Sequence, residues 1–119
     1  MMTLYYFLST AINGIPDSQK KEMYDYVDRT VRQEYEDIQP EDNIVIMSNF
    51  DEPPAPPTVM NRKLHHLETA LSKMKNCDGF FLLAENDGSI KPGCMVEINA
   101  WISAGLEQPI IRRKHKEWK

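Results

Sequence analysis

Glu97 is the residue of this chain whose type and surroundings most directly suggest chemistry. It stands in the stretch from Cys77 to Arg112, which reads as strand, polar loop, glycine, helix, short turn and strand. Phe80, Phe81, Leu82 and Leu83 form a continuous apolar run, the pattern of a strand buried on both faces of a parallel sheet. The polar segment that follows holds the breakers Asn86-Asp87-Gly88 and Lys91-Pro92-Gly93. From Cys94 the period becomes helical, with Ile98, Trp101, Ile102 and Leu106 on one face, and Gly105 and Pro109 mark where the helix should stop. Glu97 thus falls one turn inside a helix, beside the carboxyl end of the preceding strand. That edge of an open α/β sheet is where ligands bind, helped by the free N–H groups and partial positive charge of helix N-termini. A carboxylate there is expected to stay ionised near neutral pH and to attack or stabilise a cationic centre. A glutamate near a helix start can equally do no more than offset the helix dipole, and spacing alone leaves both roles open.

Other reactive side chains are less suggestive. The neighbours His65 and His66 point about 100° apart on a helix and cannot hold one metal ion together. Cys77 and Cys94 form no disulfide framework and have no partner at metal-ligand spacing, so they read as free thiols of a reducing cytoplasm. No metal site is expected from these side chains.

The elements that must position Glu97 follow from the rest of the chain. Residues 3–9, TLYYFLS, are rich in β-formers and predict a first, central strand. A loop containing Asn13-Gly14 leads to a helix from Asp17 to about Glu36, with Met23, Val27, Val31 and Tyr35 as its buried stripe. Ile44-Val45-Ile46-Met47 is a short second strand. Residues 48–58 hold Pro53, Pro54, Pro56 and Pro57, which forbid helix and central strand. This extended loop leaves the same sheet edge as Glu97, either as a lid or specificity loop or as a rigid connector. Thr58 or Asn61 then caps a helix to about Asn76, with Leu64, Leu67, Leu71 and Met74 as its apolar stripe. The order β-α-β-α-β-α-β predicts a parallel sheet with helices on both faces. The expectation is a single-domain, three-layer flavodoxin-like or Rossmann-like fold with strand order 2-1-3-4, with Tyr5, Phe7, Phe80 and Leu82 inside.

The run Gly93-Cys94-Met95-Val96-Glu97-Ile98, with Ala100 and the ending Gly105-Leu106-Glu107-Gln108-Pro109-Ile110, resembles the nucleoside 2-deoxyribosyltransferase superfamily, which includes deoxynucleoside-monophosphate N-glycosidases and small phage-encoded relatives. Leu4-Tyr5-Tyr6 with Asn13-Gly14-Ile15-Pro16-Asp17 is similar to the first strand and loop of that group. The resemblance implies a catalytic glutamate at Glu97 that attacks the anomeric carbon of a 2-deoxyribonucleoside or its monophosphate. The base leaves, and water or a second base resolves the glycosyl-enzyme, in parallel with retaining glycosidases, a mechanism that implies no metal or organic cofactor. It also implies that substrate contacts fall on Tyr5, Ser9, Thr10, Asn13, Gly14, Asn86, Asp87 and Gly93. The family commonly carries an aspartate on the helix before the third strand; Ala70 stands there, and Glu68 and His66 are the nearest ionisable residues that can serve as auxiliary acid or base. After the first strand, where relatives often have Ala-Gly or Gly-Ser, this chain has Phe7-Leu8-Ser9-Thr10. Sites completed by a neighbour are implied too, so a homodimer or larger homo-oligomer is expected, with Trp101 and the helix from Cys94 to Ala104 near the contact. The alternative is a catalytically silent relative that binds a nucleotide or a partner protein in the same crevice.

Composition bounds these readings. With 119 residues the chain is expected to form one domain. A formal net charge of -4 argues against a nucleic-acid duplex or an anionic membrane as the main partner. The locally basic tail from Arg112 onward reads as a solvated segment. The apolar start lacks a basic leader and no run approaches the ~20 residues of a membrane span, so a cytoplasmic protein is expected.

Overall fold

The computed structural model describes every residue except Ile12, Asn13, Asp51 and Lys119. Its elements alternate as the hydrophobic periods require: β1 (Thr3–Ser9), α1 (Asp17–Glu34), β2 (Asn43–Met47), α2 (Arg62–Met74), β3 (Gly79–Ala84), α3 (Pro92–Ser103) and β4 (Ile110–Arg113). The four strands form one all-parallel sheet in the order β2-β1-β3-β4. Phe7 pairs with Met47 on one side and with Phe80 on the other, which fixes β1 as a central strand.

Alternation along the strands splits the core into two layers. Tyr6, Leu8, Phe81 and Leu83 pack against Met23, Val27 and Val31 of α1. Phe7, Phe80 and Leu82 pack against Ala70 and Met74 of α2 and against Cys94, Ile98 and Trp101 of α3. The connection from β1 to β2 runs one way across the sheet under α1. The two later connections run the other way on the opposite face, so all three crossovers share one hand, as parallel βαβ units require. The three-layer α/β architecture and the strand order agree with expectation.

Local signals explain the ends of the helices. Asn61 caps α2, its Oδ1 accepting from the Leu64 amide at 3.0 Å. Gly105 takes φ +70 after α3, a left-handed turn that favours glycine. Gly79 has a different role: a Cβ there would lie 2.3 Å from the Tyr6 ring, so the strand pair closes only over a hydrogen.

Several expectations need correction. Tyr5 is not inside; it is 40% exposed. It lies in the half of β1 that precedes the pairing with β3, where its N–H donates to Asp78 Oδ2 at 2.8 Å. The leucine stripe of α2 is rotated away from the sheet: small Ala70 and Met74 face inward, while Leu64 and Leu71 are exposed. In α3 the inward face is Cys94, Ile98 and Trp101, with Ile102 and Leu106 outside. Trp101 is 1% exposed and packs in the core of its own chain. The tail is not wholly solvated. Trp118 is buried on α1, where its Nε1 donates to Glu22 Oε2 at 2.9 Å and its ring lies 4.2 Å from the stacked ring of His115 and 5.9 Å from that of Tyr26.

Among the described residues, no helix is long and apolar enough to cross a membrane.

Candidate functional site

The sheet order reverses between β1 and β3, and parallel sheets open a crevice at that point beyond their carboxyl ends. A cavity of about 890 Å³ lies there. It receives residues from beyond every strand: Thr10 and Ala11 after β1, Asn49, Phe50 and Glu52 after β2, Glu85 after β3 and Lys114 after β4. His66 of α2 and Lys91, Gly93, Cys94 and Glu97 around the start of α3 complete its sides, over Phe7 and Leu8.

Glu97 lines this cavity and is held there from β1. Ser9, the last residue of β1 and 1% exposed, donates its hydroxyl to Glu97 Oε1 at 2.5 Å. The bond ties α3 to the neighbouring strand across the switch point. Its length is that of a hydrogen bond to a charged acceptor. Burial pushes the Glu97 carboxyl above the usual carboxylate range, and the Ser9 hydroxyl works against that rise. Here the sequence reading is overturned on one count. Glu97 is the sixth residue of α3, past the first turn in which the dipole acts, and desolvation rather than the helix terminus sets its proton affinity. A half-buried carboxylate of raised proton affinity is a better nucleophile and base than one held by a dipole.

Cys94 lies one turn earlier and also lines the cavity. Burial pushes its thiol up and keeps it protonated. Thr10 donates Oγ1 to the Leu83 carbonyl at 3.1 Å and so spends its hydroxyl on joining β1 to β3. Lys114 is buried, its Nζ 3.2 Å from the Ala11 carbonyl and 3.4 Å from Glu85 Oε1. Lys73 of α2 reaches across to Glu52, to the Ser48 carbonyl and to Asn49 Oδ1. Tyr24 of α1 adds a 2.6 Å hydroxyl contact with Ser48 and a stacked contact with Phe50 at 5.7 Å between centroids. These anchors turn the start of the proline-rich segment into a wall of the cavity, while its prolines stay exposed.

Of the residues expected at the site, Ser9, Thr10, Gly93, His66 and Glu97 come together. At Gly93 a Cβ would meet open space, so the cavity does not require a glycine there. Tyr5 is at the other half of its strand, Gly14 is exposed outside the cavity lining, and Asn86 and Asp87 form the exposed tip of the turn beyond Glu85. Asn13 lies outside the described residues. Glu68 faces a separate groove between α2 and α3. Sequence reasoning missed Glu52, Glu85, Lys114 and Phe50. Glu85 and Lys114 each directly follow a strand, and a rule that weighs the first side chains past each carboxyl end would have found them. Among the described residues no cluster of three or more histidine, cysteine or acidic side chains could hold a metal ion. Comparison of the chain with protein-family models finds no match, and comparison with curated proteins finds no significant one.

Proposed function

We propose that this chain breaks the N-glycosidic bond of a 2-deoxyribonucleoside or its monophosphate, as a 2-deoxyribosyltransferase or a deoxynucleotide N-glycosidase of the superfamily that its sequence resembles. The observation that carries this reading is the Glu97 carboxylate, of raised proton affinity and bound to Ser9, in a crevice of about 890 Å³. That volume falls within the range of sites for small organic molecules. A Glu97 oxygen forms a bond to the anomeric carbon as the carbon–nitrogen bond breaks, and the bonding pair leaves with the base. Water or a second base then attacks the same carbon, and the ester bond returns its electrons to the carboxylate. In this reading His66 supplies the proton to the departing base, because it lines the cavity with Glu97 and Glu68 does not. Glu52 and Glu85 are each engaged by a lysine. Self-association of the chain belongs to the same reading.

A specific observation favours the alternative, a catalytically silent binding protein. Ala70 stands where the resemblance expects an aspartate, and it is fully buried under the sheet, 0% exposed. The discriminating experiment is incubation of the protein with each deoxynucleoside and each monophosphate, with free base read by chromatography. Release of one base supports the enzyme. Saturable binding without release from any of them overturns it in favour of the binder.

A further inference from the structure

After β2 the chain lines the crevice with Asn49, Phe50 and Glu52, none of them in a helix or strand. Their local bonds are long: the Glu52 amide donates to the Asn49 carbonyl and the Phe50 amide to Ser48 Oγ, each at 3.3 Å. Side chains from two helices reinforce them. Lys73 of α2 donates to the Ser48 carbonyl and, at 3.4 Å, to Asn49 Oδ1, and it pairs with Glu52. An ammonium has three N–H groups, and three acceptors from this one stretch meet them. From α1, the Tyr24 hydroxyl lies 2.6 Å from Ser48 Oγ and its ring stacks on Phe50 at 5.7 Å between centroids. Lys20 Nζ lies 5.5 Å from the centre of the same Phe50 ring. Lys73, Tyr24 and Lys20 are not among the described residues that line the crevice, so they act on a ligand there only through the residues they hold.

This division between residues that line and residues that hold has a consequence for binding. A side chain already ordered in the free protein adds no ordering cost when a ligand arrives, whereas a mobile one does. Lys73 also balances the charge of the wall, because the half-buried Glu52 carboxylate would face the crevice unpaired without it. We propose that Lys73 is a positioning residue of the ligand site, holding Asn49, Phe50 and Glu52 as a wall formed before the ligand arrives rather than as a lid that closes over it. This role depends on the crevice being the ligand site of the proposed function. Loss of the ammonium weakens binding and spares the step at Glu97, since Lys73 touches no reacting atom.

Lys73→Met keeps the length of the side chain, removes its charge, and tests this by kinetics and by backbone NMR relaxation. With a deoxynucleoside or monophosphate that the parent turns over, KM should rise by about 10- to 100-fold, as when three side chains must be ordered at binding, while kcat stays within about threefold. A fall in kcat at unchanged KM overturns the proposal, because it places Lys73 in the chemical step. Kinetics identical to the parent's overturn it as well. Without ligand, the backbone order parameters of Asn49, Phe50 and Glu52 should be about 0.85 in the parent and below about 0.6 in Lys73→Met. Parent values already below about 0.6 overturn the proposal, and their rise on adding a deoxynucleoside would identify a closing lid. Values that the substitution does not change overturn it too. The relaxation measurement needs no turnover. Absence of base release from every substrate sinks the enzyme reading alone, and the order parameters still decide the role of Lys73. Circular dichroism shows whether the variant is folded, and Lys73→Gln takes its place, with the same outcomes, if Lys73→Met is not.

Discussion

Replacing Ser9 by alanine probes the bond on which the site is built. The substitution removes one hydroxyl from a position that is 1% exposed and leaves the strand backbone unchanged. Where Glu97 is ionised the lost bond is to a charged carboxylate, and such bonds contribute about 1.5–3 kcal/mol. Glu97 lies beside the cavity, where water can replace part of the lost partner, so the lower end, about 1.5 kcal/mol, is expected. With a urea slope of about 1.5 kcal/mol/M, the unfolding midpoint should fall by about 1 M. The sign of the pH dependence follows from the direction of the shift. The Ser9 hydroxyl lowers the Glu97 pKa, so its loss must raise that pKa further. The hydroxyl's contribution is therefore fully present above the Glu97 pKa and shrinks as pH falls through it, toward the ~0.5–1.5 kcal/mol of a bond between neutral groups. Urea titrations at neutral and acidic pH, with a carboxyl-carbon NMR titration of Glu97, measure both quantities. A cost under about 0.5 kcal/mol that does not change with pH, or a fall in the Glu97 pKa, would show that the Ser9 hydroxyl does not stabilise the ionised Glu97.

Three further outcomes follow from the same structure. Glu97→Gln keeps an acceptor for Ser9 but cannot ionise. Because burial raises the folded-state pKa, the parent loses stability as pH rises from the ordinary glutamate value through the folded one, so the variant should gain on it across that window and hold the gain above it; calorimetry at pH 4 and pH 7 reads the difference, and a loss of stability at pH 7 would restore the dipole-offset role. Phe81→Ala should cost about 3–5 kcal/mol by chemical denaturation, because its ring is fully buried beneath Tyr26 at 6.3 Å between centroids. Trp118→Ala should cost at least about 2 kcal/mol, since it removes both the buried ring and the bond to Glu22, whereas a solvated tail would show no change in midpoint.

The fold was legible because its signals are local and redundant. The apolar run of β3, the four-residue recurrence of Met23, Val27 and Val31, and the glycine and proline after α3 each specify their element without tertiary help. The side of each helix that meets the sheet was less legible. Leucine spacing on α2 describes a face that includes Leu64 and Leu71, but close approach to the sheet favours Ala70 and turns those leucines outward. Glu97 could be singled out because the helix pattern places it beside a strand end. Its partner bond to Ser9 spans 88 residues of sequence, and no local pattern encodes such a pairing. The lysine-anchored carboxylates Glu52 and Glu85 were hidden for the same reason: Lys73 and Lys114 are brought to them only by the packing of α2 and by the end of β4.

The most direct test of the central claim is the intact mass of the protein quenched during turnover of a deoxynucleoside or its monophosphate. A species heavier by one deoxyribosyl group, mapped by peptide sequencing to Glu97, is expected. Glu97→Gln should show no such species, and its base release should fall by at least about 10³-fold while the fold is retained. Base release undiminished in Glu97→Gln, or an adduct mapped to any other side chain, would contradict it.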